Sequence, residues 1–318
     1  MKTQRTSAIK RGFTLMELMV AMAITTIIVT VLVSITSIAL DTWNRSRSEL
    51  RASRQAKSMI DTMARDFEAL LTRTGNTSEW LSTVVDPDLS KIGDKLKSTN
   101  ASKLVFFTAA TDRYNGQVGD ATADKGGDVS CVAYQLKYRD PISESAPVKF
   151  ETFVLNRLLV NPDETFKNLL GKTDSTKPAE SLDKVFAAST YEADLAKPGN
   201  FVCENIYQFS ITFHVQVTDT TQTPPVFNVP VSIATSNSAR TTNSFTIQGT
   251  GIKTALTVPN VDLVKSGRVT AVELSVTVLS DSGVEQLKRR TFKNKDEEAE
   301  FMAKNSYQYS KLVQVSTM

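Results

Sequence analysis

From Leu18 to Leu40 the chain carries no charged residue, and Ile, Val, Leu, Met and Ala dominate these 23 positions. A helix rising ~1.5 Å per residue would make this stretch roughly 35 Å long. That is enough to cross a hydrocarbon core of ~30 Å with some tilt. Beyond it the pattern becomes amphipathic. Ala56, Met59, Ile60, Met63, Ala64, Phe67, Leu70 and Leu71 recur at three- and four-residue spacing and make one apolar stripe. Arg45, Arg47, Arg51, Arg54, Lys57, Arg65 and Asp66 take the other positions, and Gly75-Asn76 supplies the expected stop. The pattern therefore predicts one long helix, with a transmembrane part over 13–40 and an amphipathic continuation over 41–75. The stripe is expected to pack on the chain's own sheet rather than to form a coiled-coil seam.

Over the remaining segment, 76–318, the period changes to two, as in half-buried strands. Strands are predicted over Lys103–Ala109, Val129–Tyr138, Val148–Arg157, Phe201–Val217 and Val269–Leu279. In the fourth, Phe209, Ile211, Phe213, Val215 and Val217 alternate with Ser210, Thr212, His214 and Gln216, which puts His214 on the polar face. Thr218–Thr246, rich in Thr, Ser, Asn and Pro, reads as an irregular or hairpin insertion. A short exposed helix is expected over Asp296–Lys304 and a last strand over Tyr309–Val315. The expected fold class is α+β: a long N-terminal helix packed on a mainly antiparallel β-sheet head domain.

Composition narrows the function. A hydrophobic content of 41% with 22% charged residues is that of a chain with a real core. The net charge of +3 gives no footprint for nucleic acid. With His214 the single histidine and no metal-ligand spacing around the two cysteines, histidine catalysis and zinc chemistry are disfavoured, and no cofactor is implied. Asp120, Asp124 and Asp128 lie in a Gly-containing loop, but their spacing is not that of an EF-hand, so a solvated loop is the simpler reading. Cys131 and Cys203 fall in predicted strands; they could form a disulfide in an oxidising compartment or stay as two buried thiols.

The N-terminus holds the specific signal. Residues 1–12 carry Lys2, Arg5, Lys10 and Arg11 and no acid, so this end is expected on the cytoplasmic side and the head outside. Between Arg11 and Asp41 the one charged residue is Glu17. A carboxylate in a span is costly and marks a functional position by default. Were the chain cut between Gly12 and Phe13, a new amine on Phe13 would lie four residues before Glu17, on the same helix face. The carboxylate could then meet that amine or, in an assembly, a neighbour's. An uncleaved anchor leaves both features unexplained. A secretory signal cut near Ser37-Ile38-Ala39 would have an overlong core spoiled by Glu17.

Gly12-Phe13-Thr14-Leu15-Met16-Glu17 resembles the cleavage motif of type IV prepilins. The resemblance implies cleavage after Gly12 by a prepilin peptidase, N-methylation of Phe13, and assembly through Glu17. Val132–Leu136, Phe153–Arg157, Ile206–Ile211 and Val269–Leu274 resemble segments of J-type minor pseudopilins of type II secretion, with Arg157 matching one of that group's arginines. Length and ending are similar to those of the Verru_Chthon cassette protein C group. The implied role is a structural subunit, not an enzyme, of a pseudopilus, pilus-like filament or tip complex. Its partners would be the peptidase, other pilin or pseudopilin subunits, the inner membrane and a secretion or pilus assembly platform. The competing readings are a membrane-tethered binding protein or adhesin that never polymerises, and an anchored enzyme.

Overall fold

The computed structural model describes residues 14–75, 77–85, 102–109, 128–141, 150–170, 182, 189–219, 223–257 and 261–315. The chain divides into two units, Met1–Glu49 and Leu50–Met318. Helix α1, Leu15–Glu68, contributes to both. In the first unit it is the one described element, and its apolar side chains from Leu15 to Leu40 are exposed.

The second unit is built from two sheets. Strands β1 (Glu79–Val85), β2 (Ser102–Thr108), β3 (Ser130–Arg139), β4 (Thr152–Val160), β5 (Phe201–Cys203), β9 (Ser244–Gln248) and β10 (Gly251–Thr254) form a seven-stranded sheet in the order β10-β9-β1-β2-β3-β4-β5. Strands β6 (Ile206–Thr218), β7 (Val226–Ile233), β8 (Thr241–Thr242), β11 (Arg268–Leu279) and β12 (Ser306–Gln314) form a five-stranded sheet in the order β12-β11-β6-β7-β8. All pairs are antiparallel except the short β7–β8 pair, so the expected α+β class holds. The helices after α1 are short: α2 (Pro162–Thr165), α3 (Ser189–Leu195), α4 (Val261–Ser266), α5 (Asp281–Arg289) and α6 (Lys295–Asn305).

One core joins the helix to both sheets. Ala52, Ala56, Met59, Ile60, Met63, Ala64 and Phe67 of α1 bury against Leu104, Phe106 and Phe153 of the larger sheet and Phe209, Phe213 and Val276 of the smaller. The predicted stripe thus packs on the chain's own sheets. Phe67 stacks on Phe106 with ring centroids 4.5 Å apart and planes 13° from parallel. Phe67→Ala is expected to cost about 3–5 kcal/mol, the usual range for a buried aromatic truncated in a core. Chemical denaturation of the full chain, read by tryptophan fluorescence, checks it. The opposite face of the larger sheet has its own apolar layer, in which Trp80, Val105, Phe107 and Leu158 lie under Leu182 and Leu195.

Several elements depart from the pattern-based expectation. The helix ends at Glu68, before Gly75, because Leu70 bridges to Thr108 and the Leu71 amide donates to the Phe107 carbonyl at 2.9 Å. Those sheet contacts take over the backbone groups that another helical turn would have used. The predicted strand over Phe201–Val217 is broken at Glu204-Asn205, where the chain leaves the larger sheet and enters the smaller. Asn205 has φ of 59°, a conformation asparagine tolerates better than most residues. Its carbonyl accepts from the Leu279 amide at 2.9 Å, and its side-chain oxygen from Thr152 Oγ1 at 3.0 Å. Thr218–Thr246 contains β7 and β8 and the start of β9. β11, α6 and β12 lie where expected, within two or three residues at their ends. His214 is half-buried rather than fully solvated, with Nε2 3.7 Å from Glu273 Oε2.

Candidate functional site

Gly12 and Phe13 lie outside the described residues, so the described part of the candidate site begins at Thr14. Thr14 is the residue before α1, and Glu17 sits in its first turn. The two form a reciprocal cap. The Glu17 amide donates to Thr14 Oγ1 at 3.2 Å, while Glu17 Oε2 accepts from the Thr14 amide at 2.9 Å and from Thr14 Oγ1 at 3.0 Å. This Thr-x-x-Glu arrangement satisfies amides that the first turn would otherwise leave unpaired. The spacing was present in the sequence, and the capping-box pattern is the signal that finds it. Within the single chain the carboxylate is therefore already occupied by its own helix start.

Farther along, five hydroxyls of the otherwise apolar stretch are satisfied from within the helix. Thr25, Thr26, Thr30, Ser34 and Thr36 each donate to the carbonyl four residues back, at 2.8–2.9 Å. In hydrocarbon such back-bonding removes the need for an outside partner. Helix α1 is also the one element, among the described residues, long and apolar enough to cross a membrane.

Residues 8–33 match the family model described as the prokaryotic N-terminal methylation motif. The N-terminal segment is thus similar to that methylation motif. The matched segment holds Gly12, Phe13 and Glu17 together. Among solved structures, a type IV-like pilin from Thermus thermophilus resembles the chain with a TM-score of 0.31 and 10% identity, over 83% of this chain and 96% of that one. No curated protein matches this chain.

In the head, a buried ion pair joins α1 to the larger sheet. Arg157 of β4 donates from Nε to Asp66 Oδ2 and from Nη2 to Asp66 Oδ1, both at 2.7 Å. The Tyr134 hydroxyl of β3 also donates to Asp66 Oδ2. All three side chains are buried: Asp66 is 2% exposed and Arg157 5%. Burial, then the neighbouring Asp66 carboxylate, pushes the Tyr134 phenol well above its ordinary range, so it remains a proton donor. Asp66 was expected on the polar side of α1, and this buried pairing corrects that placement. Its partner lies 91 residues away in sequence, which is why periodicity alone did not reveal it.

Cys131 and Cys203 are free and buried. Cys131 pairs across to Val160 of β4, and Cys203 to Leu155 on that strand's other side. With β4 between them they stand two strand spacings apart, about 10 Å, before the offset along β4 is counted. They also face opposite apolar layers. A disulfide needs Cα atoms within roughly 7 Å and side chains turned toward each other. Burial pushes the Cys203 thiol up to about 12 and the Cys131 thiol further. Both are thus expected to stay protonated and unreactive below pH 9. Iodoacetamide at pH 8 should label neither until denaturant is added; rapid labelling of the folded chain would contradict the burial.

Asp128 is exposed, and Asp120 and Asp124 lie outside the described residues. Among the described residues no group of three His, Cys, Asp or Glu side chains could hold a metal ion.

Proposed function

We propose that this chain is a prepilin-type structural subunit of the minor pseudopilin kind. A prepilin peptidase cuts it between Gly12 and Phe13 and methylates the Phe13 amine. The observation that carries this reading is the match of residues 8–33 to the methylation motif. It is supported by Glu17 as the one charge between Arg11 and Asp41. The basic leader stays in the cytoplasm, α1 crosses the inner membrane once, and the head lies on the exported side.

In this account the function is mechanical. The apolar first part of α1 leaves lipid for the packed helices of a filament or tip complex, and the head presents surfaces to partner subunits. The methylated Phe13 amine of one subunit and Glu17 of its neighbour neutralise each other as the subunit docks, which fixes axial register. The J-type assignment within type II secretion rests on the four β-segments resembling that group, including Arg157, and the Verru_Chthon cassette protein C alternative rests on length and ending. A membrane-tethered protein that never polymerises would show the same head and the same span. The two are separated by cross-linking in cells. A prepilin-type subunit gives peptidase-dependent cross-links to other pilin-like chains and appears in the sheared filament or assembly-platform fraction. Recovery as a lone membrane protein, unchanged by loss of the peptidase, would favour the tethered form.

A further inference from the structure

Among the described residues, β12 ends one side of the smaller sheet, with β11 paired to it on its other side. The register with β11 runs unbroken from Ser306 to Gln314, and the Val315 amide continues it by donating to the Thr270 carbonyl at 2.9 Å. In an antiparallel pair, every second residue turns both of its backbone groups to the partner strand. Counted back from Val315, those residues are Val313, Lys311, Tyr309 and Tyr307. Gln308, Ser310, Leu312 and Gln314 therefore turn their amides and carbonyls to the open side. All four are exposed, Leu312 to 55%.

An open edge invites a further strand, and folded proteins blunt such edges by shortness, proline, bulges or charge. The other described edges are blunted in this way: β5 has three residues, β8 two and β10 four, and β7 carries Pro230 beyond its short pairing with β8. β12 has nine residues, no proline and no bulge. Its one charge, Lys311, is held on the inner side by Asp61 of α1 at 3.1 Å, and the Tyr309 hydroxyl meets Ser53 of the same helix. The strand is thus fixed from within while its edge stays open. Behind the edge, the outer face of the sheet is nearly free of charge. Ser210, Ser275 and Ser310 stand in one cross-strand row, and Gln208, Thr277 and Gln308 in the next. The row of Thr212, Glu273 and Leu312 adds a single acid.

We infer that β12 receives an extended segment of a different polypeptide chain, which joins the smaller sheet through backbone hydrogen bonds and turns uncharged side chains to its outer face. An extended backbone is the chemistry that offers alternating donors and acceptors at the spacing presented from Gln308 to Gln314. The serine and glutamine rows set the class of side chain that continues them. A second copy of this chain fits poorly. Ser53 meets Tyr309 and Asp61 meets Lys311, so the head part of α1 advances along β12 in the same sense. Two copies paired antiparallel through β12 would carry these helices in opposite directions, whereas both must enter one membrane, a step that rests on the function proposed above. Paired parallel, they would set the buried face of one sheet beside the exposed face of the other.

The test is fluorescence anisotropy with the full chain in detergent micelles and a labelled peptide of the sequence Glu273–Leu279, the segment that already pairs with β12 from its other side. A lysine tail keeps the peptide soluble, and the same composition in scrambled order is the control. Saturable binding of the ordered peptide is expected. It should weaken about tenfold or more in Ser310→Pro, which removes an outward amide and no bond to β11. Leu312→Lys, which places a charge beside the open edge, should weaken it as well, and it carries the test if thermal melting shows that Ser310→Pro unfolds the head. Absence of saturation up to about 1 mM, equal binding of the scrambled peptide, or equal binding by wild type and the folded variants overturns the inference. So does a wild-type dimer that Ser310→Pro converts to monomer, since the edge would then belong to a second copy. None of these readouts requires cleavage at Gly12-Phe13, so their failure is distinct from a failure of prepilin processing.

Discussion

Replacing Asp66 by alanine is expected to destabilise the head by about 3–5 kcal/mol, the range for breaking a buried ion pair from one side. The cause is what the change leaves behind. Arg157 would keep its charge in a site 5% exposed, with both of its 2.7 Å acceptors gone. The Tyr134 hydroxyl would lose its acceptor as well. Water cannot easily replace the carboxylate, because Phe67, Phe106 and Met63 are all buried nearby in the same core. Replacing both partners with apolar residues of similar volume, Asp66→Leu with Arg157→Met, should recover most of the loss, since no charge is then stranded. A double-mutant cycle by urea denaturation separates the two effects. Equal losses in the single and double variants would mean that packing volume, not the stranded charge, sets the cost. The pair also has a positional consequence. It ties one register of α1 to β3 and β4, and the stripe from Ala52 to Phe67 packs in that register.

Glu17→Val is expected to leave membrane insertion intact and to reduce incorporation into the filament or tip complex to background. Within one chain the substitution removes a cap acceptor for Thr14, the residue to which Glu17 bonds among the described residues. Loss of one cap cannot unmake a helix of 54 residues whose second part is anchored in the head core. Removal of a charge from the apolar stretch should, if anything, ease insertion. A large defect in assembly would therefore come from a partner outside the chain, the role proposed for the Phe13 amine of a neighbouring subunit. Docking would exchange the Thr14 bonds for that amine. Wild-type levels of the Glu17→Val chain in the sheared fraction would remove the pairing from the account.

The features legible in the sequence were those written over short distances. The uncharged run after Glu17 and the stripe from Ala56 to Phe67 need only one helix to be read. β6 and β11 alternate cleanly because one face is buried and the other is not. β4 was harder to bound, since apolar layers cover both faces and its nine residues are all buried. β1 was missed for the same reason: Trp80 and Leu81 point to different layers, so no alternation survives. β7 was hidden by Pro230, which a strand interior normally excludes. It is tolerated because β8 pairs with β7 only at Ser232 and Ile233, leaving Pro230 at an open edge of that sheet. The Asp66–Arg157 pair depends on contacts between distant residues, which no local pattern encodes. At the N-terminus the Gly-Phe junction, Glu17 and the Thr-x-x-Glu spacing of the cap are all local and so lie in the sequence itself.

The central claim is that the chain is processed as a prepilin, and the direct measurement is the intact mass and N-terminal sequence of the protein from cells with and without the prepilin peptidase. The account predicts a chain beginning at N-methylated Phe13 only where the peptidase is present, and one beginning at Met1 where it is not. A chain that begins at Met1 in both, or just after Ala39, would contradict it.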